Sequence, residues 1–280
     1  MGKKDKKNKP KTLHERFRLL GIDFSKPGFY DSPQFRAAEA NDGAFLEKYA
    51  AYVENRLVLP DEAARVRSIV PKTAQFLFDA LVQDGRLAAC VDASQVLSRF
   101  LEAQGVWNYI VKGALTVSFA PDTGLSPVHM APIMMKGNRA VTGHAWVCAP
   151  PYRVVDVTVA LQPYSDAQRA VLGNFFICEE APPRANVEAN DLFDAECVAF
   201  YKQQRGSAPT IRDLLEFSPN ILNQVQRFGV FSIEHGPVRL KYVGTSTTAP
   251  DLPLEEMACL SLSGRRPIEA YHDLQQAMKC

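Results

Sequence analysis

The sequence predicts an α+β fold in which a mainly helical N-terminal part precedes a sheet. Three observations carry that expectation. Apolar residues recur at intervals of three and four through the first 85 positions. A short segment from Cys90 to Gln104, bracketed by DGR at 84–86 and by Gly105, has one apolar face. Beyond Gly105 the pattern turns to short runs rich in Val, Ile, Phe and Thr, which favour strands.

The 280 residues, 46% hydrophobic and 22% charged, suffice to bury a full core and have the composition of a globular chain, not of a disordered or collagenous one. No apolar run approaches the roughly 20 residues that cross a bilayer. The basic start MGKKDKKNKP has no apolar stretch behind it, so a secretory signal is not expected and the cytoplasm is the expected location. Six cysteines, at 90, 148, 178, 197, 259 and 280, form no CxxC pair and are too sparse for a disulfide scaffold; the five histidines include no HExxH. Neither a metal nor a cofactor is expected.

Residues 1–12 read as a basic, disordered tail. Its first eleven residues hold six lysines and one aspartate, a net +5 against +1 for the whole chain, so the remainder is at −4. Such a block is a solvated end, or attracts an acidic partner or nucleic acid. Residues 13–84 form a helical N-terminal region, either a separate subdomain or the outer layer of one core. Thr12 and Glu15 make a capping box before Leu13, Phe17 and Leu20. Ser32 caps a stretch at 33–57 and Asp61 one at 61–83, with Pro71 a candidate break.

Residues 85–180 form the core. Its helix from Cys90 buries Ala93, Val96, Leu97, Phe100 and Leu101, and strands are expected at Asn108–Phe119, Ala145–Cys148, Arg153–Val159 and Asn174–Cys178. The connection from Ala120 to Gly143 is longer than most loops in compact domains. Residues 181–280, opened by the linker APPRANVEAN, read as a mixed, mainly helical C-terminal extension with helices at 191–205, 209–227 and 266–278.

Three residues fall in a chemically meaningful order. Cys90 opens a helix, whose unpaired amides and dipole favour a thiolate. His144 opens a strand and can supply counter-charge and a proton. Asp156 lies in the next strand and can fix the tautomer of the imidazole. Because side chains alternate along strands, a three-residue turn over Pro150 sets His144 opposite Asp156 and a five-residue turn sets them diagonally, whereas a four-residue turn points them to opposite faces. The Pro150–Pro151 pair does not choose among these lengths.

The runs CVDASQVLSRFLEAQGV and GHAWVCAPPYRVVDVT resemble the core of the transglutaminase-like superfamily, relatives of the papain-like cysteine peptidases, over roughly residues 85–160. The shared pattern is a cysteine opening a buried helix that ends at Gly105 and Val106, the His-x-Trp of His144 and Trp146, and Asp156 followed by Thr158. The chain departs from it at Cys148, where an acid is common, and at Trp107, Asn108 and Tyr109 in place of Pro-Ala-Arg. The resemblance implies a buried cysteine helix packed on an antiparallel sheet. It also implies a Cys90–His144–Asp156 triad acting through a thioester on a protein or peptide substrate.

Around the triad, the Cys90 amide is the first oxyanion donor to consider, and Gln83 is a candidate substrate-binding amide at about the place where papain-like enzymes keep a glutamine. Trp146 is expected to wall the site beneath His144. His129 and His235 read as loop residues rather than catalysts, and Met134, Met135 and Lys136 on the long connection are candidates to touch substrate. The expected function is a cysteine-dependent amide hydrolase, a protease or deamidase. The alternatives are a transglutaminase-type acyl transferase and an inactive scaffold in which Cys90 is a small buried hydrophobe.

Overall fold

A computed structural model describes residues 12–133, 143–179, 185–213 and 220–279; the lysine tail up to residue 11 and Met134, Met135 and Lys136 lie outside them. The chain is mixed α+β, with an antiparallel sheet as its middle layer.

Helix α1 (Leu13–Leu19) has the Thr12/Glu15 capping box in place. The stretch expected at 33–57 is two helices, α2 (Pro33–Asn41) and α3 (Leu46–Asn55), because Asp42 leaves helical geometry at φ −148, ψ 91. Helix α4 (Pro60–Gln83) starts at Pro60 with Leu59 as its N-cap, which puts Asp61 inside the first turn, not at the cap. Pro71 does not split it. Proline lacks the N–H that would bond the carbonyl of Arg67, and the Tyr152 hydroxyl donates to that carbonyl from 3.5 Å. Helix α5 (Cys90–Ala103) buries Cys90 together with most of the next eleven side chains.

The sheet strands are β1 (Tyr109–Phe119), β2 (Val128–Met130), β3 (His144–Ala149), β4 (Tyr152–Asp156), β5 (Phe176–Cys178), β6 (Val230–His235) and β7 (Val238–Thr248), in the order β5-β4-β3-β1-β7-β6 with β2 also on β1. His129 lies in β2 and His235 closes β6, so neither is a loop residue. The remaining described helices are α6 (Asp166–Val171), α7 (Ala189–Leu192), α8 (Ala195–Arg205), α9 (Ile221–Phe228) and α10 (Pro267–Ala277).

Among the described residues the C-terminal hundred hold helices, and also strands beyond those expected from the sequence. They supply the β6–β7 hairpin, and β7 is the partner of β1 over ten register pairs. Its signal is legible afterwards: Val238, Leu240 and Tyr242 alternate with Arg239 and Lys241 after a Gly236–Pro237 turn.

The helices of region 13–84 contribute to two apolar clusters. Side chains of α1 to α3 pack with Val111, Leu115, Trp146 and Tyr242, whereas α4 joins α5 and α10 against Ala145, Val147 and Val155. Alternation along β3 sends Trp146 to the first of these cores and its neighbours to the second. Helices α7, α8 and α9 bury Ala114 and Val243.

Arg99 fixes α5 between these layers. Its guanidinium donates to Asp31 at 2.6 Å, to Glu102 at 2.9 Å and to the Leu252 carbonyl at 2.9 Å. Burial pushes the Glu102 carboxyl up to about 7 against the pull of Arg99.

Candidate active site

Three local structures converge where β3 begins. Cys90 is the first residue of α5, and Ala89 at the N-cap offers no side-chain acceptor to the first-turn amides. Before it, Ala88 holds a left-handed φ of 56, costly for a residue with a Cβ. The Ala88 amide donates to the Leu161 carbonyl at 2.8 Å, tying the cysteine loop to the turn that follows Asp156.

The β3–β4 hairpin settles the question of faces. Its closing pair is Ala149 with Tyr152, a two-residue turn over Pro150 and Pro151, shorter than any length considered from the sequence. That pair alone would put His144 and Asp156 on opposite faces. One extra residue on β4 before the Val147–Val155 pair restores the parity. Continuing the latter register sets Asp156 across from Trp146 and diagonal to His144, on one face.

His144 Nε2 donates to Asp156 Oδ2 at 2.6 Å, with both side chains wholly buried. The same oxygen accepts the Tyr242 hydroxyl at 2.9 Å. Oδ1 accepts the Thr158 amide at 2.9 Å and its hydroxyl at 3.1 Å, an Asx turn at the end of β4. Burial raises a carboxyl's pKa, but these donors and the His144 charge outweigh it and hold Asp156 below the usual range.

The imidazole is left with Nδ1, which has no conventional hydrogen-bond partner. The Cys90 thiol interacts with this ring, and since Nε2 is held by Asp156, the nitrogen open to the sulfur is Nδ1. Burial would depress the imidazole, yet the Asp156 charge and bond, reinforced by the thiol, raise it to about 10. Burial raises the thiol as well, and His144 with the Ala145 amide overcomes this, so Cys90 is held below the ordinary thiol range. The pair thus favours a protonated ring and makes the Cys90 thiol easier to ionise than an ordinary cysteine.

Cys148 and Cys197 sit in a different setting. Burial pushes Cys148 up to about 12, and its Sγ donates to the Arg153 carbonyl at 2.9 Å; burial also pushes Cys197 up to about 12.

Trp146 stacks on His144, the ring planes 22° apart and centroids at 6.4 Å, and meets Tyr242 edge-on at 5.0 Å. Gln83 is exposed at the end of α4, and its amide oxygen accepts the Ser263 hydroxyl at 3.0 Å. Cys90 is 3% exposed, with exposed Leu87 and Val91 beside it in the chain.

Among the described residues, no group of three His, Cys, Asp or Glu side chains could hold a metal ion. Among them too, no helix is long and apolar enough to cross a membrane. No protein-family model matches the chain, and neither does any curated protein or solved structure.

Proposed function

We propose that the chain is a cysteine-dependent hydrolase of amide bonds, a protease or deamidase, built on a transglutaminase-like core. The observation that carries the proposal is the buried pair in which Asp156 holds His144 at Nε2, with Nδ1 unpartnered and the Cys90 thiol interacting with the same ring. A helix whose first residue is the cysteine, packed on antiparallel strands that carry the histidine and the acid, supports the choice of core.

In this mechanism the Cys90 thiolate attacks the carbonyl carbon and a C–S bond forms while the first-turn amides of α5 face the developing oxyanion. The His144 imidazolium gives its Nδ1 proton to the departing amine as the C–N bond breaks, which leaves a thioester. The neutral ring then takes a proton from water, the resulting C–O bond displaces the sulfur, and acid and thiolate are regenerated. Asp156 keeps the ring oriented and stabilises its charge throughout. An amine in place of water would give transamidation by the same steps. A protein or peptide is the proposed substrate, the cytoplasm the proposed compartment, and the lysine tail a proposed contact for an acidic partner or nucleic acid.

The test is intact-mass analysis of the chain incubated with a peptide pool, alongside iodoacetamide labelling. The proposal expects an acyl adduct or cut peptides that vanish in Cys90→Ala, and alkylation of Cys90 well below pH 8 and ahead of the other thiols. Equal labelling of all six cysteines, or activity kept by Cys90→Ala, overturns it in favour of a scaffold.

A further inference from the structure

Against Trp146 lies a cavity of about 280 Å³ between α3, the strands β1 and β3, and the C-terminal end of α9. Its walls include the rings of Tyr109, Trp146 and Phe228. Three charged side chains also reach it: Glu54, Arg153 and Arg227. Two of them are already engaged. Glu54 takes the Tyr109 hydroxyl, and Arg227 is held by the Glu47 carboxylate and carbonyl. Arg153 has no side-chain partner among the described residues, although its charge is felt at the neighbouring Cys148.

A concave, aromatic-walled space with a few converging polar groups is the usual form of a small-molecule site. The charges select the ligand. A cation would meet two guanidinium groups against the one carboxylate of Glu54, already engaged by the Tyr109 hydroxyl, and a neutral apolar molecule would leave Arg153 unused. A carboxylate gains a charge-assisted, bidentate partner in a planar guanidinium, and ring walls favour a flat body. The modest volume limits that body to about one ring with a short chain.

We propose that this cavity is a binding site for a small carboxylate with a flat apolar body, oriented by Arg153 and stacked among Tyr109, Trp146 and Phe228. Its lining includes none of Cys90, His144 and Asp156, although Trp146 touches both places, and the proposal stands whether or not the cysteine chemistry occurs.

The test is calorimetric titration of the full chain with 3-phenylpropionate and with its uncharged amide, 3-phenylpropanamide. The expected result is saturable binding of the acid, with the amide weaker by about tenfold and the acid weaker by about tenfold in Arg153→Gln. Arg153 is exposed, so that variant leaves the core intact. Arg239→Gln, which removes an exposed arginine paired with Glu234, is expected to bind as the wild type does. The proposal is overturned by absence of saturation up to the solubility limit, by equal binding of acid and amide, by unchanged affinity in Arg153→Gln, or by equal loss in Arg239→Gln.

Discussion

The Tyr242 hydroxyl donates to Asp156 Oδ2 at 2.9 Å, on the oxygen that also binds His144 Nε2. Strand β7 thus reaches a carboxylate 86 positions earlier in the chain, and the acid of the relay is braced from the C-terminal hairpin. Phe176 stacks on the same phenol ring at 6.2 Å.

Tyr242→Phe keeps the ring packing and deletes one of four donors to a buried carboxylate. The expected cost is about 1.5–3 kcal/mol, the range for a hydrogen bond to a charged group, read as a lowered urea midpoint with unchanged slope. An unchanged midpoint would show that the bond contributes nothing.

Alkylation and turnover should part company at high pH. Cys90 is a thiolate above its lowered pKa, so alkylation rises through a limb below the ordinary thiol value of 9.0 and then stays level. Turnover needs the imidazolium as acid and is expected to fall as pH passes about 10, where His144 loses its proton. Stopped-flow labelling beside a peptide assay measures both curves; an alkylation limb at or above 9 contradicts the pairing.

Asp156→Asn removes the charge that raises His144. Turnover is expected to drop by about 10²–10⁴-fold, and stability by about 3–5 kcal/mol because the buried imidazole loses its partner. The signs with pH are opposite for the two groups. His144, raised in the folded state, contributes fully below its unfolded value of 6.5, and that contribution is lost as pH climbs through about 10. Asp156, depressed in the folded state, contributes above its unfolded 3.8 and loses this as pH falls through its lower folded value. Urea midpoints of the wild type should decline at both extremes, and those of Asp156→Asn should decline less.

Gly113 pairs with His144 across β1 and β3, and a Cβ there would stand 1.9 Å from the Val243 carbonyl oxygen of β7. Gly113→Ala must push β1 and β7 apart. The expected loss is about 3 kcal/mol, the upper end for overpacking because backbone cannot rotate away. Thermal unfolding measures it, and a wild-type midpoint would mean that the strands separate freely.

The sequence by itself determined the parts whose causes are local. The capping box at Thr12, the apolar face of α5 and the alternation of β3 and β4 each arise from residues within a few positions of one another. The order Cys90, His144, Asp156 is legible in the chain too, as a candidate nucleophile, base and acid, although these residues are far apart in it. Local rules also misled in places. Asp42 interrupts one expected helix, and Pro71 fails to interrupt another because a tyrosine 81 positions away covers the stranded carbonyl.

Tertiary structure decided what lies between distant segments. The irregularity in β4 that returns Asp156 to the face of His144 shows only in the paired strands. The docking of β7 on β1, with Tyr242 at Asp156, follows from burying apolar faces against partners more than a hundred residues off. Neighbouring residues carry no record of such pairings, since burial rewards any complementary surface and chain connectivity alone does not choose one.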